Sequence, residues 1–150
     1  MRKNGVFVTH CPVSNMNLSS GIAPIRKYLD PELNVGLGSD VAGGHSDSIF
    51  RAMTDVIQVS KMYWRHVDPQ AKPITFPEAS YMATLGGGAF FGKAGSFEEG
   101  YDFDAVVLDD TSLVHPQELP VTERLERAVY PGLDRNGIRA KFAAGEQIAL

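Results

Sequence analysis

Two short apolar runs with helical sequence between them constrain the fold of this 150-residue chain most strongly. The first run, GVFVTHCP at 5–12, ends at a proline, and the second, NVGLGSD at 34–40, ends at an aspartate. Between them we expect a loop and then a helix, with Ser19 or Ser20 as its N-cap and Pro24 in or near its first turn. Two strands joined through a helix are typical of a parallel crossover unit, which predicts an α/β fold.

A longer helix is predicted directly after the second run. From Ser46 onward, apolar residues recur at the spacing of one helical face, and the pattern ends near Asp68 and Pro69. We expect this helix to run from Ser46 to about Val67 and to pack its apolar face against the sheet. That face comprises Ile49, Phe50, Met53, Val56, Ile57 and Trp64.

The stretch TFPEASYMATLGGG predicts the start and the end of another helix. Thr75 is followed three residues later by Glu78, which is the capping-box pattern, and Pro77 falls in the first turn, where proline is tolerated. We expect the glycines at 86–88 to stop this helix.

The remaining sequence has a different character. Glycines and acidic residues separate short runs, AVVL at 105–108 reads as a buried strand, and residues 125–150 read as a helix fragment, a loop and two strands around the turn at 144–146. We therefore divide the chain into an α/β part over 1–92 and a mainly β part with a short helix over 93–150.

Charge and composition exclude several classes of function. The formal net charge is −4 and lysine and arginine form no run, so the chain lacks the electrostatic footprint of a nucleic-acid or anionic-lipid binder. Cys11 is the single cysteine, so no internal disulfide forms and a reducing compartment suits the chain. No apolar run approaches the roughly 20 residues of a membrane span, and the first residues are too polar for a signal peptide. We expect a cytoplasmic protein that acts on a small molecule, with neither nucleic acid nor membrane as a partner.

Asp40 stands at the tip of the second predicted strand, among glycines. A carboxylate there loses hydration unless a metal ion, a cationic side chain or a helix N-terminus pairs with it. Active sites of parallel α/β folds form at the C-terminal ends of strands, which makes Asp40 a candidate metal ligand. Spacing alone favours the ordinary alternative, a helix N-cap or an Asx turn, because aspartate beside glycine is common in both.

Five segments, taken in order, carry a family resemblance: HCPVSNMNLSSG, GLGSDVAGG, ATLGGGAFFG, GSFEEGYDFDAVVLDD and AGEQI. Together they resemble the zinc-dependent amidohydrolase superfamily, and within it the guanine deaminase family. SDVAGG and RAVYPGLDRN favour guanine deaminases over relatives that deaminate adenosine-like or cytosine substrates. GSFEEGYDFDAVV marks only the superfamily.

The resemblance implies a role for Asp40 and a reaction. Asp40 would bind zinc, contact the substrate and move protons between the metal-bound water and that substrate, so it is the one residue we assign as catalytic, metal-binding and substrate-binding. The implied reaction is hydrolysis of guanine to xanthine and ammonia, with zinc as the cofactor. The family's other metal ligands and its substrate-binding arginine and glutamate belong to segments upstream of this sequence.

The resemblance also implies a partial fold. A complete eight-stranded barrel takes about 250 residues, so we expect the last two βα units of a TIM-like barrel over 1–92 and strands of a β-sandwich over 93–150. Catalytic zinc usually needs three protein ligands. We therefore expect the chain alone to be inactive. Because the missing barrel strands leave the parallel sheet edge and its apolar surface exposed, we also expect the chain to associate with itself, as a homo-oligomer, or with other proteins.

Other polar residues have simpler structural explanations. His10 ends a strand, where a histidine is more often structural than functional. Cys11 reads as a small buried hydrophobic residue. The tendency of asparagine and serine to form turns explains Asn15 and Ser39 nearly as well as a role in supporting an active site would. We assign no role to His45, His66 or His115, and the acidic residues Asp102, Asp104, Asp109 and Asp110 read as solvated strand ends.

Two further interpretations stay open. One is an amidohydrolase for another aminated or halogenated heterocycle, and the other is a non-catalytic, truncated domain that associates with other chains.

Overall fold

The chain has an α/β fold, and the residues that the structure describes form two separate sheets. The computed structural model describes residues 4–29, 33–131, 133 and 137–150. The elements in chain order are β1 (Val8–His10), α1 (Pro12–Asn17), α2 (Ile25–Tyr28), β2 (Val35–Leu37), α3 (Ile49–His66), α4 (Phe76–Ala83), α5 (Leu85–Gly88), β3 (Ala105–Leu108), α6 (Val121–Val129), β4 (Ile138–Ala143) and β5 (Glu146–Ile148). None of the described helices is long and apolar enough to cross a membrane.

Strands β1 and β2 pair in parallel, as the strand–helix–strand pattern predicted. The connection between them holds two short helices rather than one. Helix α1 begins directly after β1, with a proline in its first turn, and Pro24 rather than Ser19 or Ser20 is the N-cap of α2. The chain turns between the two helices, where Ser19 has a φ of +52° and Gly21 a φ of +113°. The predicted serine cap is therefore wrong.

Helix α3 contributes Met53, Val56 and Ile57 to the core, but it begins at Ile49 rather than at Ser46. Ser48 is its N-cap and accepts a hydrogen bond from the backbone N–H of Arg51. Ile49 and Trp64 are exposed, contrary to the predicted core face. Each occupies an end of α3, and the Trp64 indole donates to the carbonyl of Pro69 at 3.1 Å. Helix α3 packs with β2 and α4 in one core, against which Phe50 is partly buried. The buried residues of this core are Ile25, Val35, Met53, Val56, Ile57, Ile74, Ala79, Met82 and Val129.

The capping box at the start of α4 is confirmed, because the Thr75 hydroxyl accepts from the Glu78 N–H and the Glu78 carboxylate accepts from the Thr75 N–H. The glycines at 86–88 do not stop α4, which ends at Ala83. They lie in α5, which packs closely on β2: a Cβ at Gly86 would lie 2.5 Å from the carbonyl oxygen of Val35.

The second sheet is antiparallel, in the order β3-β4-β5, with a register irregularity between Val107 and Leu108. The turn at 144–145 joins β4 to β5 as predicted. The strand predicted at AVVL is confirmed as β3. Its predicted burial is wrong, because Val106 and Val107 are exposed on this edge strand of the sheet. The loop predicted after α6 lies partly outside the described residues, and so does the break predicted at Asp30 and Pro31.

Candidate active site

The loops that follow β1 and β2 meet at one edge of the parallel sheet. Because the two strands run in the same direction, their C-terminal ends lie side by side. The Gly38 N–H donates to the carbonyl of His10 at 3.0 Å, which extends the pairing beyond β2. Helix α1 follows β1 at this edge, and the loop that carries Asp40 follows β2.

Asp40 is held by a buried hydroxyl from α1. The Ser14 Oγ donates to Asp40 Oδ2 at 2.6 Å, a length typical of a hydroxyl bonded to an ionised carboxylate. Asp40 is exposed and has a φ of +49°, a left-handed conformation that aspartate adopts more readily than most residues with a Cβ. A carboxylate has about four acceptor positions, so the bond from Ser14 leaves capacity for a cation or a proton.

Two hydrogen bonds hold the loop from Asp40 to Gly44, one within its backbone and one from a side chain of α1. The Gly44 N–H donates to the Asp40 carbonyl at 2.7 Å, and the Asn17 side-chain amide donates to the Gly43 carbonyl at 2.8 Å. A Cβ at Gly43 would lie 2.7 Å from Asp40 Oδ2 and 2.8 Å from Ser14 Oγ. Two side chains of α1, Ser14 and Asn17, therefore fix this loop, and a glycine at 43 lets it approach them.

Asp40 does not cap α3, whose N-cap is Ser48. The helix-cap alternative for Asp40 is therefore wrong. Within the described part of the chain, Asp40 also forms no ion pair with a lysine, arginine or histidine. Its side-chain partner is the neutral hydroxyl of Ser14.

His10 and Cys11 lie where β1 runs into α1. Burial lowers the pKa of His10 to about 4, so its imidazole is neutral at pH 7. Burial, followed by the nearby Asp40 carboxylate, raises the pKa of the Cys11 thiol. Cys11 is therefore a protonated thiol at neutral pH, which does not suit a nucleophile.

The other candidates lie away from Asp40 or have structural partners. The Asn15 amide donates to Ser20 Oγ at 3.1 Å, within its own turn. His45 lines an open cavity of about 350 Å³ at the N-terminal end of α3, together with Arg51 and Tyr130. The acidic residues near β3 form ion pairs and hydrogen bonds: Asp109 with Arg139, Asp110 with Arg124, and Asp104 with the Ala144 N–H.

Asp40 fits the role of one ligand in a metal site. Its carboxylate is exposed, is oriented by a neutral donor and has acceptor capacity left. Among the residues that the structure describes, no three His, Cys, Asp or Glu side chains lie close enough together to hold a metal ion. A zinc ion at Asp40 therefore needs further ligands from outside this described set.

The sequence pattern does not single out Ser14. It lies inside the HCPVSNMNLSSG segment, where three serines and two asparagines occur close together, and nothing in the letters separates it from the others. The parallel register of β1 and β2 decides which of these residues faces Asp40.

The profile of the amidohydrolase family matches residues 1–145. The chain belongs to the amidohydrolase family. It is 37% identical over 148 residues to the guanine deaminase of Dictyostelium discoideum, a match that covers 94% of this chain and 32% of that relative. The chain thus spans about a third of the length of the curated relatives it matches.

Solved amidohydrolase structures agree with the fold. The guanine deaminase of C. acetobutylicum, solved with guanine bound in its active site, is 47% identical with a TM-score of 0.91, covering 99% of this chain and 35% of that one. An adenosine deaminase of Xanthomonas campestris with bound zinc is 26% identical with a TM-score of 0.77, covering 97% of this chain and 32% of that one. The resemblance to guanine deaminases and the α/β class are therefore confirmed.

Proposed function

We propose that this chain supplies the Asp40 side of the active site of a guanine deaminase, which hydrolyses guanine to xanthine and ammonia. The observation that carries this proposal is the Ser14–Asp40 pair at the C-terminal edge of two parallel strands, in a chain similar to a guanine deaminase that binds guanine. We infer that residues 1–92 are the last two βα units of a TIM-like barrel and that residues 93–150 are strands of a β-sandwich with one helix. The parallel β1–β2 pair and the antiparallel β3–β5 sheet support that division.

Zinc is the metal we infer, because the family resemblance implies it and a related deaminase is described with bound zinc. Asp40 would be one of its ligands. When bound, zinc lowers the pKa of a water molecule toward neutrality and so supplies a nucleophile at pH 7.

In this proposal Asp40 transfers a proton. Its carboxylate accepts a proton as the water attacks the ring carbon that bears the exocyclic amine, and it returns that proton to the nitrogen that leaves as ammonia. Its exposed position at the sheet edge gives a planar purine access to the carboxylate oxygens. Proton transfer by a positioned side chain contributes about 10²–10⁴-fold to the rate.

A chimera tests the proposal. This chain replaces the matching third of the C. acetobutylicum guanine deaminase, and the product is assayed for ammonia release from guanine. Asp40→Ala should lower kcat by about 10²–10⁴-fold or more and reduce the zinc content, because a ligand and a proton carrier are both lost. Asp40→Asn keeps an oxygen but cannot carry a proton, so the zinc content should fall less than kcat does.

Asp102→Asn, a change of an exposed carboxylate distant in sequence from the site, is the matched control and should leave both quantities unchanged. Near-normal activity of the Asp40→Asn chimera would show that Asp40 is not the proton carrier. The similarity to an adenosine deaminase makes deamination of another amino-heterocycle the second candidate, so adenosine and cytosine are assayed beside guanine. A preference for either would replace guanine as the substrate.

A further inference from the structure

Ser14 is the buried polar side chain that meets the proposed catalytic carboxylate. It is 4% exposed, and its hydroxyl donates to Asp40 Oδ2 at 2.6 Å across 26 residues of sequence. Its own carbonyl accepts from the Leu18 N–H at 2.9 Å, so the residue is fixed in α1. The hydroxyl is thus presented to the carboxylate by a helix, whereas the carboxylate itself stands on a loop.

We propose that Ser14 is a positioning residue for Asp40, an inference that rests on the proposed function. An exposed aspartate on a loop samples several χ1 and χ2 values, and only some of them suit metal binding and proton transfer. A buried donor on Oδ2 selects one orientation and leaves Oδ1 for those tasks. Groups that orient a metal ligand in this way typically contribute 10–100-fold to metal affinity or activity.

The surrounding contacts support a positioning role. Asn17, one helical turn after Ser14, donates to the Gly43 carbonyl, so the same helix fixes both the carboxylate and the loop that carries it. A Cβ at position 43 would collide with both Asp40 Oδ2 and Ser14 Oγ, and the glycine there avoids this collision. If Ser14 were only a satisfied core hydroxyl, its loss would affect stability but not the chemistry.

Ser60 is the matched control for that distinction. It is also 4% exposed, and its hydroxyl donates to the Ile57 carbonyl at 2.7 Å and accepts from the Ile74 N–H at 2.8 Å. Ser60→Ala therefore removes a buried hydroxyl whose two partners are Ile57 and Ile74 rather than Asp40. It should lower stability and leave kcat unchanged.

The test uses the chimera described above. Ser14→Ala should lower kcat for guanine about 10–100-fold with little change in KM, since the substrate still binds while proton transfer is misaligned. Ser14→Cys keeps the side-chain volume but has a weak donor, so it should behave like Ser14→Ala and serves where the alanine variant folds poorly.

Zinc affinity, measured by competition with a chelator, is the readout that does not depend on turnover. Ser14→Ala should weaken zinc binding when Asp40 is present and have no effect in an Asp40→Ala background, because the hydroxyl acts through the carboxylate. Equal effects in the two backgrounds, or a loss of kcat in Ser60→Ala as large as in Ser14→Ala, would overturn the inference. If the unsubstituted chimera does not deaminate guanine, or Asp40→Ala keeps full activity, the proposed function itself fails.

Discussion

Gly43 has no side chain, yet it determines how closely the Asp40 loop approaches α1. The position of its absent Cβ is within 3 Å of both the carboxylate and the hydroxyl of the Ser14–Asp40 pair. Real Cβ atoms essentially never lie so close to another heavy atom. Both atoms are the ends of side chains, so a new methyl group would displace the Asp40 carboxylate, rotate the Ser14 hydroxyl away from it, or both, and each change disturbs the pair.

Gly43→Ala should therefore lower kcat of the chimera about 10–100-fold, as expected when the support of a metal ligand is disturbed. The measurement is kcat for guanine together with thermal stability. Gly92→Ala is the control: its φ is +112° with open space around the Cβ, so it should lower stability through backbone strain and leave kcat unchanged. A Gly43→Ala chimera with normal kcat would show that the carboxylate accommodates the methyl group.

The sequence located one member of this site and missed the other for a physical reason. Asp40 could be found because it ends an apolar run, and strand ends of parallel sheets converge at one edge. Ser14 follows β1 by four residues, and its position depends on α1 starting immediately at Pro12. The sequence pattern predicts a loop over these residues and a helix that starts only at Ser19 or Ser20, so it provides no helix that could present Ser14 to Asp40.

At the scale of elements, short sequence motifs predicted the features that depend on residues close together in the chain. The capping box of α4 closes within four residues, and the β1–β2 pairing follows from the order of the elements. The exposure of Ile49 and Trp64 depends instead on how far β2 and α4 extend along α3, which helical periodicity alone does not encode. The glycines of α5 predict a helix stop, whereas in the structure Gly86 and Gly87 pack closely on β2 and Gly88 packs on Ala94.

Arg26 links α2 to the start of α4. Its guanidinium forms an ion pair with Glu78 and also donates to the carbonyls of Lys72 and Pro73, at 2.9 and 2.6 Å. Glu78 is at the same time the acidic member of the capping box. The hydrogen bond from Arg26, more than any other cause, lowers the pKa of Glu78 to about 2.

This shift predicts an acid dependence of stability. Since the folded-state pKa of Glu78 lies below its ordinary value of 4.5, its contribution is complete above pH 4.5 and is lost as the pH falls toward 2. Glu78→Gln should lower the urea midpoint at pH 7 and make it fall less between pH 5 and pH 3. Glu123→Gln, in the first turn of α6, is the control and should keep the acid dependence of the unsubstituted protein. An unchanged pH profile in Glu78→Gln would mean that the ion pair does not contribute to stability.

At the scale of the whole molecule, the order of motifs identified the family to which the chain belongs. Two parallel strands bring one carboxylate and its hydroxyl donor to an edge, but a catalytic zinc site usually takes three protein ligands. The relatives are about three times as long as this chain. In the proposed function, the chain therefore supplies one side of the site.

The same comparison bears on the surface of the isolated chain. Phe90 and Phe91 are 66% and 81% exposed, and Phe90 packs edge to face against Phe7 with ring centroids 5.3 Å apart. Contiguous exposed aromatic residues are typical of surfaces that another protein segment covers. The part of the solved C. acetobutylicum guanine deaminase that matches this chain is 35% of that protein.

We expect the 150-residue chain, expressed by itself, to self-associate through this aromatic surface of Phe7, Phe90 and Phe91. Sedimentation velocity at micromolar concentrations should show oligomers that dissociate on dilution, because burial of apolar surface drives the contact. Phe91→Ser should shift the distribution toward monomer. Val114→Ser is the matched control, since Val114 is 85% exposed on the loop before α6 and its replacement should leave the distribution unchanged. A well-packed monomer at every concentration would contradict the prediction, and an equal shift in the two variants would place the contact elsewhere.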